Sequence, residues 1–112
     1  MKAEEILKIA ATKLDDKKAV AINALKVGDL TSLTEYFLIA TATSTTHVRA
    51  LAEEVEEILK ENGVEPHHIE GKTTGWIVLD YEGVIVHIFT PHEREFYNLD
   101  RMWSDATPIE II

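Results

Sequence analysis

Five histidines, a run of four hydroxyl side chains and 20 acidic residues are the raw material for chemistry in this 112-residue chain. Spacing decides what they can do. A tight metal site needs three or four donors converging on one point. His67 and His68 are adjacent and diverge if extended, while His47, His87 and His92 fall on separate stretches. We therefore expect no metal and no other cofactor. Thr43-Ser44-Thr45-Thr46 stands at the mouth of a helical pattern, where hydroxyls cap free backbone amides. Without a Gly-rich turn or a P-loop lysine, capping rather than phosphate binding is the reading. Glu53, Glu54, Glu56, Glu57 and Glu61 lie along the outward face of that pattern and read as a solvated surface. No two carboxylates converge on a nucleophile, so no catalytic residue is assigned. With no cysteine in the chain, thiol redox chemistry, disulfides and thiolate zinc sites are excluded.

Three polar residues stand apart from this background. Asp80 sits beside a turn, where an Asx-type backbone contact is the ordinary role. His87 can satisfy a hydrogen bond within a sheet or face a partner. Arg94, between Glu93 and Glu95 after Pro91, can cap strand-end carbonyls, form an internal ion pair or reach a partner. His87 and Arg94 share a neighbourhood with Trp76, Phe89, Tyr97 and Trp103, which favours an interface role for both.

The elements that position them begin with a hairpin. Trp76-Ile77-Val78-Leu79-Asp80-Tyr81 and Val84-Ile85-Val86-His87-Ile88-Phe89 are separated only by Glu82-Gly83, which predicts two antiparallel strands on a tight turn. Pairing Tyr81 with Val84 sets Trp76 opposite Phe89 and Val78 opposite His87. One face is then aliphatic, with Ile77, Leu79, Val86 and Ile88. The other carries Trp76, Val78, Asp80, Ile85, His87 and Phe89. The aliphatic face is the obvious core; the aromatic face needs a helix of its own chain or a protein partner.

Around the hairpin the chain predicts an α+β fold, a mixed β-sheet packed with helices, in a single domain over residues 1–112. Apolar residues at Ala3, Ile6, Leu7, Ala10 and Leu14 give an amphipathic helix that Asp15-Asp16-Lys17-Lys18 ends. Val20 to Val27 reads as a strand stopped by Gly28-Asp29, and Tyr36 to Ala42 as a second. A helix follows from Thr45 to Lys60, with Val48, Leu51, Ala52, Val55, Ile58 and Leu59 on one face, and Glu61-Asn62-Gly63 stops it. Val64 to Ile69 suits an irregular edge strand that tolerates Pro66. Pro91 cuts the last strand, and His92 to Leu99 predicts a short helix. The apolar tail Ile109-Glu110-Ile111-Ile112 either packs on the body or waits for a partner.

A formal charge of -9 argues against a nucleic-acid footprint of the chain's own, which needs clustered Lys and Arg. It suits a basic protein partner, because opposite charge speeds encounter. Met1-Lys2-Ala3-Glu4-Glu5 resembles neither a signal peptide nor a transit sequence, and no run approaches membrane-spanning length, so a cytoplasmic protein without a membrane partner is expected.

Several stretches together resemble the ribosomal silencing factor family, also called the Iojap-related proteins. They are Leu33-Thr34-Glu35-Tyr36-Phe37-Leu38-Ile39-Ala40, Thr43 to Ala52, Glu70-Gly71 with Gly75-Trp76-Ile77-Val78-Leu79-Asp80-Tyr81, Val86-His87-Ile88-Phe89, and Arg94-Glu95-Phe96-Tyr97-Asn98-Leu99-Asp100 with Trp103. The departures are mild: Glu35 stands for the usual aspartate, Thr41-Ala42 for Ser-Gly, and Asp100 for a common glutamate. The resemblance implies a nucleotidyltransferase-like topology without that fold's catalytic motifs, and often a homodimer. It also implies binding to ribosomal protein L14 of the large subunit, which sterically blocks joining of the small subunit and represses translation, and it makes Trp76, Asp80, His87, Phe89, Arg94 and Tyr97, which match the motif positions, the candidate protein-binding residues. The alternative, a nucleotidyltransferase-like nucleotide-binding enzyme, would need a Gly-Ser entrance and a metal-binding Asp-x-Asp arrangement, and neither is present.

Overall fold

A computed structural model describes residues 1–71 and 74–111, so Lys72, Thr73 and Ile112, the last being the end of the apolar tail, lie outside the described residues. The chain runs α1 (Ala3–Asp16), β1 (Val20–Lys26), β2 (Tyr36–Thr41), α2 (Thr45–Glu61), β3 (His68–Glu70), β4 (Trp76–Tyr81), β5 (Val84–Phe89), α3 (Pro91–Tyr97), α4 (Leu99–Met102) and β6 (Thr107–Ile109). The strands form one mixed six-stranded sheet in the order β3-β4-β5-β2-β1-β6. Among the described residues only the central β2–β5 pair is parallel, and it is joined by a crossover through α2 and the β3–β4 edge. The fold is therefore α+β, as the alternation of periods implied.

The hairpin register is the expected one: Tyr81 pairs with Val84, Val78 with His87 and Trp76 with Phe89. A two-residue connection leaves little freedom, and Gly83 supplies the positive φ of +79° that the turn requires. Because side chains alternate across a strand, this register sorts the sheet into two faces. Leu38, Ala40, Ile77, Leu79, Val86 and Ile88 meet α1 and α2, where Ile6, Leu7, Leu14, Leu51, Val55 and Leu59 complete the main core. A second, smaller core on the opposite face holds Leu25, Val27, Phe37, Ile39, Ile85, Phe89 and Ala106, with Trp76, Val78, Leu99 and Trp103 packed against it. The aromatic face thus has cover from its own chain, supplied by the segment after Asn98.

Four local features differ from the sequence expectation. The edge strand expected over Val64 to Ile69 contracts to His68–Glu70. The single helix expected after Pro91 is two, because Asn98 takes a left-handed conformation (φ 46°, ψ 55°) that ends α3, while its side chain caps α4 by accepting from the Arg101 N–H. The tail takes the first of its two expected courses and packs on the body, but does so as an unexpected sixth strand, with Ala24 opposite Ile109 and Lys26 opposite Thr107. In β1, the pairing with β2 shifts between Val20 and Asn23, and Ala21 adopts φ 50°. That bulge re-aims a backbone carbonyl, as bulges commonly do near functional sites.

Candidate aromatic docking face

Trp76 is placed by the start of α3. Thr90 caps that helix by accepting from the Glu93 N–H at 3.4 Å, and the Thr90 N–H donates to the Gly75 carbonyl at 2.8 Å. A Cβ on Gly75 would come within 2.8 Å of Glu93 Cγ and 2.9 Å of Thr90 Oγ1, so glycine allows the beginnings of β4 and α3 to approach this closely. One turn further along α3, Tyr97 reaches back over Trp76, with ring centroids 4.4 Å apart.

The aromatic groups form a continuous ladder from core to solvent. Phe89 stacks on Trp76 at 5.0 Å, Trp76 meets Tyr97, and Phe96 stands edge-on to Tyr97 at 5.1 Å. Phe89 is fully buried, Trp76 half-buried, Tyr97 41% exposed and Phe96 72% exposed. Met102, on α4, is also largely exposed. Exposure of this kind on two adjoining short helices marks an interaction surface more strongly than scattered single residues do.

The six candidates separate into different roles. Phe89 and His87 lie beneath the surface. His87 is 7% exposed, its Nδ1 accepts from the Trp76 indole N–H at 3.2 Å, and its Nε2 has no partner among the described residues. Burial pulls its pKa down from 6.5 to about 4, so the ring is neutral near pH 7. Phe37 stands edge-on to it at 5.0 Å. Asp80 pairs with His68 in the β3–β4 ladder, and its carbonyl accepts from the His67 N–H at 2.8 Å. The Asx-type contact expected of its carboxylate does not form among the described residues, because Asp80 lies within the strand rather than at the Glu82-Gly83 turn.

Arg94 turns inward. Its Nε donates to Asp100 Oδ2 at 3.1 Å, Nη2 to Asp100 Oδ1 at 3.0 Å, and Nη1 to Thr41 Oγ1 at 2.9 Å and to the bulged Ala21 carbonyl. Asp100 Oδ1 also accepts from Asn23 Nδ2 at 2.8 Å. Partial burial pushes the Asp100 carboxyl up, but the hydrogen bonds from Arg94 and Asn23 outweigh it and hold the pKa below its ordinary value. Sequence reasoning did not single out Thr41, Asn23, Asp100, Phe96 or Met102 as site residues. For the last two, their separation from the helix face that packs on the sheet was the available signal; the first three join only through tertiary structure.

The remaining polar motifs are structural. Ser44 caps α2 by accepting from the His47 N–H at 3.1 Å, while His47 links the Thr43 N–H to the Lys17 carbonyl. His67 faces Glu82 at 3.2 Å and His68 faces Glu70 at 2.6 Å, on the exposed β3 edge. Among the described residues no group of three His, Cys, Asp or Glu could hold a metal ion, and no helix is long and apolar enough to cross a membrane.

Comparison with known proteins places the chain as a whole. The family model described as "Ribosomal silencing factor during starvation" matches residues 1–112. A ribosomal silencing factor of Bacillus subtilis is 39% identical over 107 residues, covering 95% of this chain and 91% of that protein. One from Halalkalibacterium halodurans is 35% identical over 112 residues, covering 99% and 96%. A crystal structure of a Chromobacterium violaceum protein superposes with a TM-score of 0.90 at 34% identity, covering 100% of this chain and 94% of that one. The match along the whole length, in sequence and in shape, places the chain in the ribosomal silencing factor family, whose members are ribosome-associated translational repressors rather than enzymes.

Proposed function

We propose that this chain represses translation in the cytoplasm by docking, as one domain, on ribosomal protein L14 of the large subunit and excluding the small subunit sterically. The observation that carries the docking surface is the aromatic ladder ending in exposed Phe96 and Tyr97, flanked by exposed Met102. Such anchors, rooted in a packed core, lose little side-chain freedom on binding. The net charge of -9 favours a basic partner. In this reading Trp76 and Tyr97 contact the partner, Phe89 and His87 support them from below, and Asp80 presents acidity at the neighbouring edge.

Steric occlusion needs no bond-making step, so the kinship with nucleotidyltransferase domains is one of topology alone. In sedimentation, a saturating amount of the purified chain should travel with large subunits and leave small subunits unjoined. Normal joining at confirmed occupancy rejects the mechanism. The same exposed rim suits a two-fold contact with a second copy, and we infer a homodimer that competes with ribosome docking. Light scattering at micromolar concentration tests this: a mass that stays monomeric removes the dimer.

A further inference from the structure

Neither α3 nor α4 contains a fully buried residue, and their apolar hold on the sheet is limited to part-buried Leu99 against the second core and Tyr97 over Trp76. Yet they carry Phe96, Tyr97 and Met102. The more extensive tie is polar. The Arg94 side chain, 13% exposed, commits four of its five N–H groups to Asp100 of α4, Thr41 at the end of β2 and Ala21 in the β1 bulge. Asn23 of β1 also donates to Asp100, at the Oδ1 that accepts from Arg94 Nη2.

We propose that Arg94 is the positioning residue of the docking face: it clamps the α3–α4 segment to the sheet so that Phe96, Tyr97 and Met102 meet the ribosome in one geometry, without touching the partner itself. The inference rests on the docking reading above. Three features support it. The fork geometry joins three chain segments through one planar group, which an ammonium cannot reproduce. The bulge at Ala21, held in a left-handed conformation, delivers a carbonyl to that fork. Arg94 also lies one turn before Tyr97 on α3, so movement of the guanidinium translates directly into movement of the aromatic rim. Without the clamp, the segment would have to be ordered at the moment of docking, and affinity would fall by that cost.

The test combines titration of purified large ribosomal subunits with amide hydrogen exchange, using Arg94→Lys, the double variant Phe96→Ala/Tyr97→Ala and their combination. Arg94→Lys should weaken binding about tenfold or more and speed exchange in residues 91–103 while leaving α1 and α2 protected. In the already weakened Phe96→Ala/Tyr97→Ala background it should add less than about twofold, because the clamp then has only Met102 left to position. A full, additive loss in that background would make Arg94 a contact residue, and unchanged binding despite faster exchange would remove its relevance to docking; either overturns the proposal. Undiminished binding by Phe96→Ala/Tyr97→Ala alone would instead reject the docking face, independently of Arg94. If Arg94→Lys lowers the unfolding midpoint of the whole domain, Asp100→Asn weakens the same ion pair from the other side and must reproduce the selective loss, or the proposal fails.

Discussion

The Trp76 indole N–H donates to His87 Nδ1 at 3.2 Å, joining the half-buried rim of the aromatic face to a residue inside the second core. The bond fixes the proton of the neutral imidazole on Nε2 and holds the indole in the plane in which Phe89 stacks on it.

Trp76→Phe should therefore destabilise the fold by about 2 kcal/mol, mostly because His87 Nδ1 would then be buried without a donor. Urea unfolding measures this. A loss below about 0.5 kcal/mol would mean that the ring nitrogen finds water or rearranges.

The pH dependence of stability follows from the same ring. Its folded pKa, about 4, lies below the ordinary 6.5. The unfolded chain therefore takes up a proton as pH falls through 6.5, and the folded chain resists until about 4. Stability from His87 is fully present above pH 6.5 and is lost across that window at about 1.4 kcal/mol per pH unit, on the order of 3 kcal/mol in all. Asp100, with its pKa lowered, contributes above the ordinary carboxylate range and loses its part only at lower pH. Urea midpoints between pH 7.5 and 4.5 should fall in the wild type and fall less in His87→Gln; equal slopes would acquit His87.

Two phenylalanines on the same ladder should behave oppositely. Phe89 is fully buried, and Phe89→Ala should cost about 3–5 kcal/mol of stability through cavity formation. Phe96 is mostly exposed, so Phe96→Ala should change stability by less than about 0.5 kcal/mol yet weaken large-subunit binding by about 2 kcal/mol. Paired thermal melts and calorimetric titrations separate the two effects; intact binding by folded Phe96→Ala would move the contact elsewhere.

Where local chemistry dictates structure, the sequence was legible. The Glu82-Gly83 turn fixed the hairpin register residue by residue, and Ser44 caps α2 within the hydroxyl run that suggested a cap. The β6 strand was not legible, because a three-residue pairing containing Pro108 has no periodicity and depends on the edge that β1 happens to leave open. Nor was the split between α3 and α4, since Asn98 is compatible with a helix until its left-handed conformation is seen. For Arg94 the residue type allowed a strand cap, an ion pair or a partner contact. Its partners at positions 21, 41 and 100 come together only after β1, β2 and α4 have packed, so the choice is made by tertiary structure.

The Ala21 bulge gives the last prediction. A side chain bearing Cβ at φ 50° carries roughly 1–2 kcal/mol of steric cost that glycine does not, and glycine in return loses about 0.5–1 kcal/mol through the greater freedom of its unfolded chain. Ala21→Gly should therefore be neutral to stabilising by up to about 1 kcal/mol, whereas glycine placed in a regular strand would destabilise by a similar amount. Ala21→Val should lose more than about 1 kcal/mol, because a β-branched side chain tolerates this conformation worst. Since the carbonyl that accepts from Arg94 belongs to the backbone, Ala21→Gly should also leave large-subunit binding unchanged. Denaturant titrations of both variants decide the matter: a clear loss of stability in Ala21→Gly, with Ala21→Val unaffected, would show that β1 runs straight through position 21 in solution and that Arg94 has no bulged carbonyl to hold.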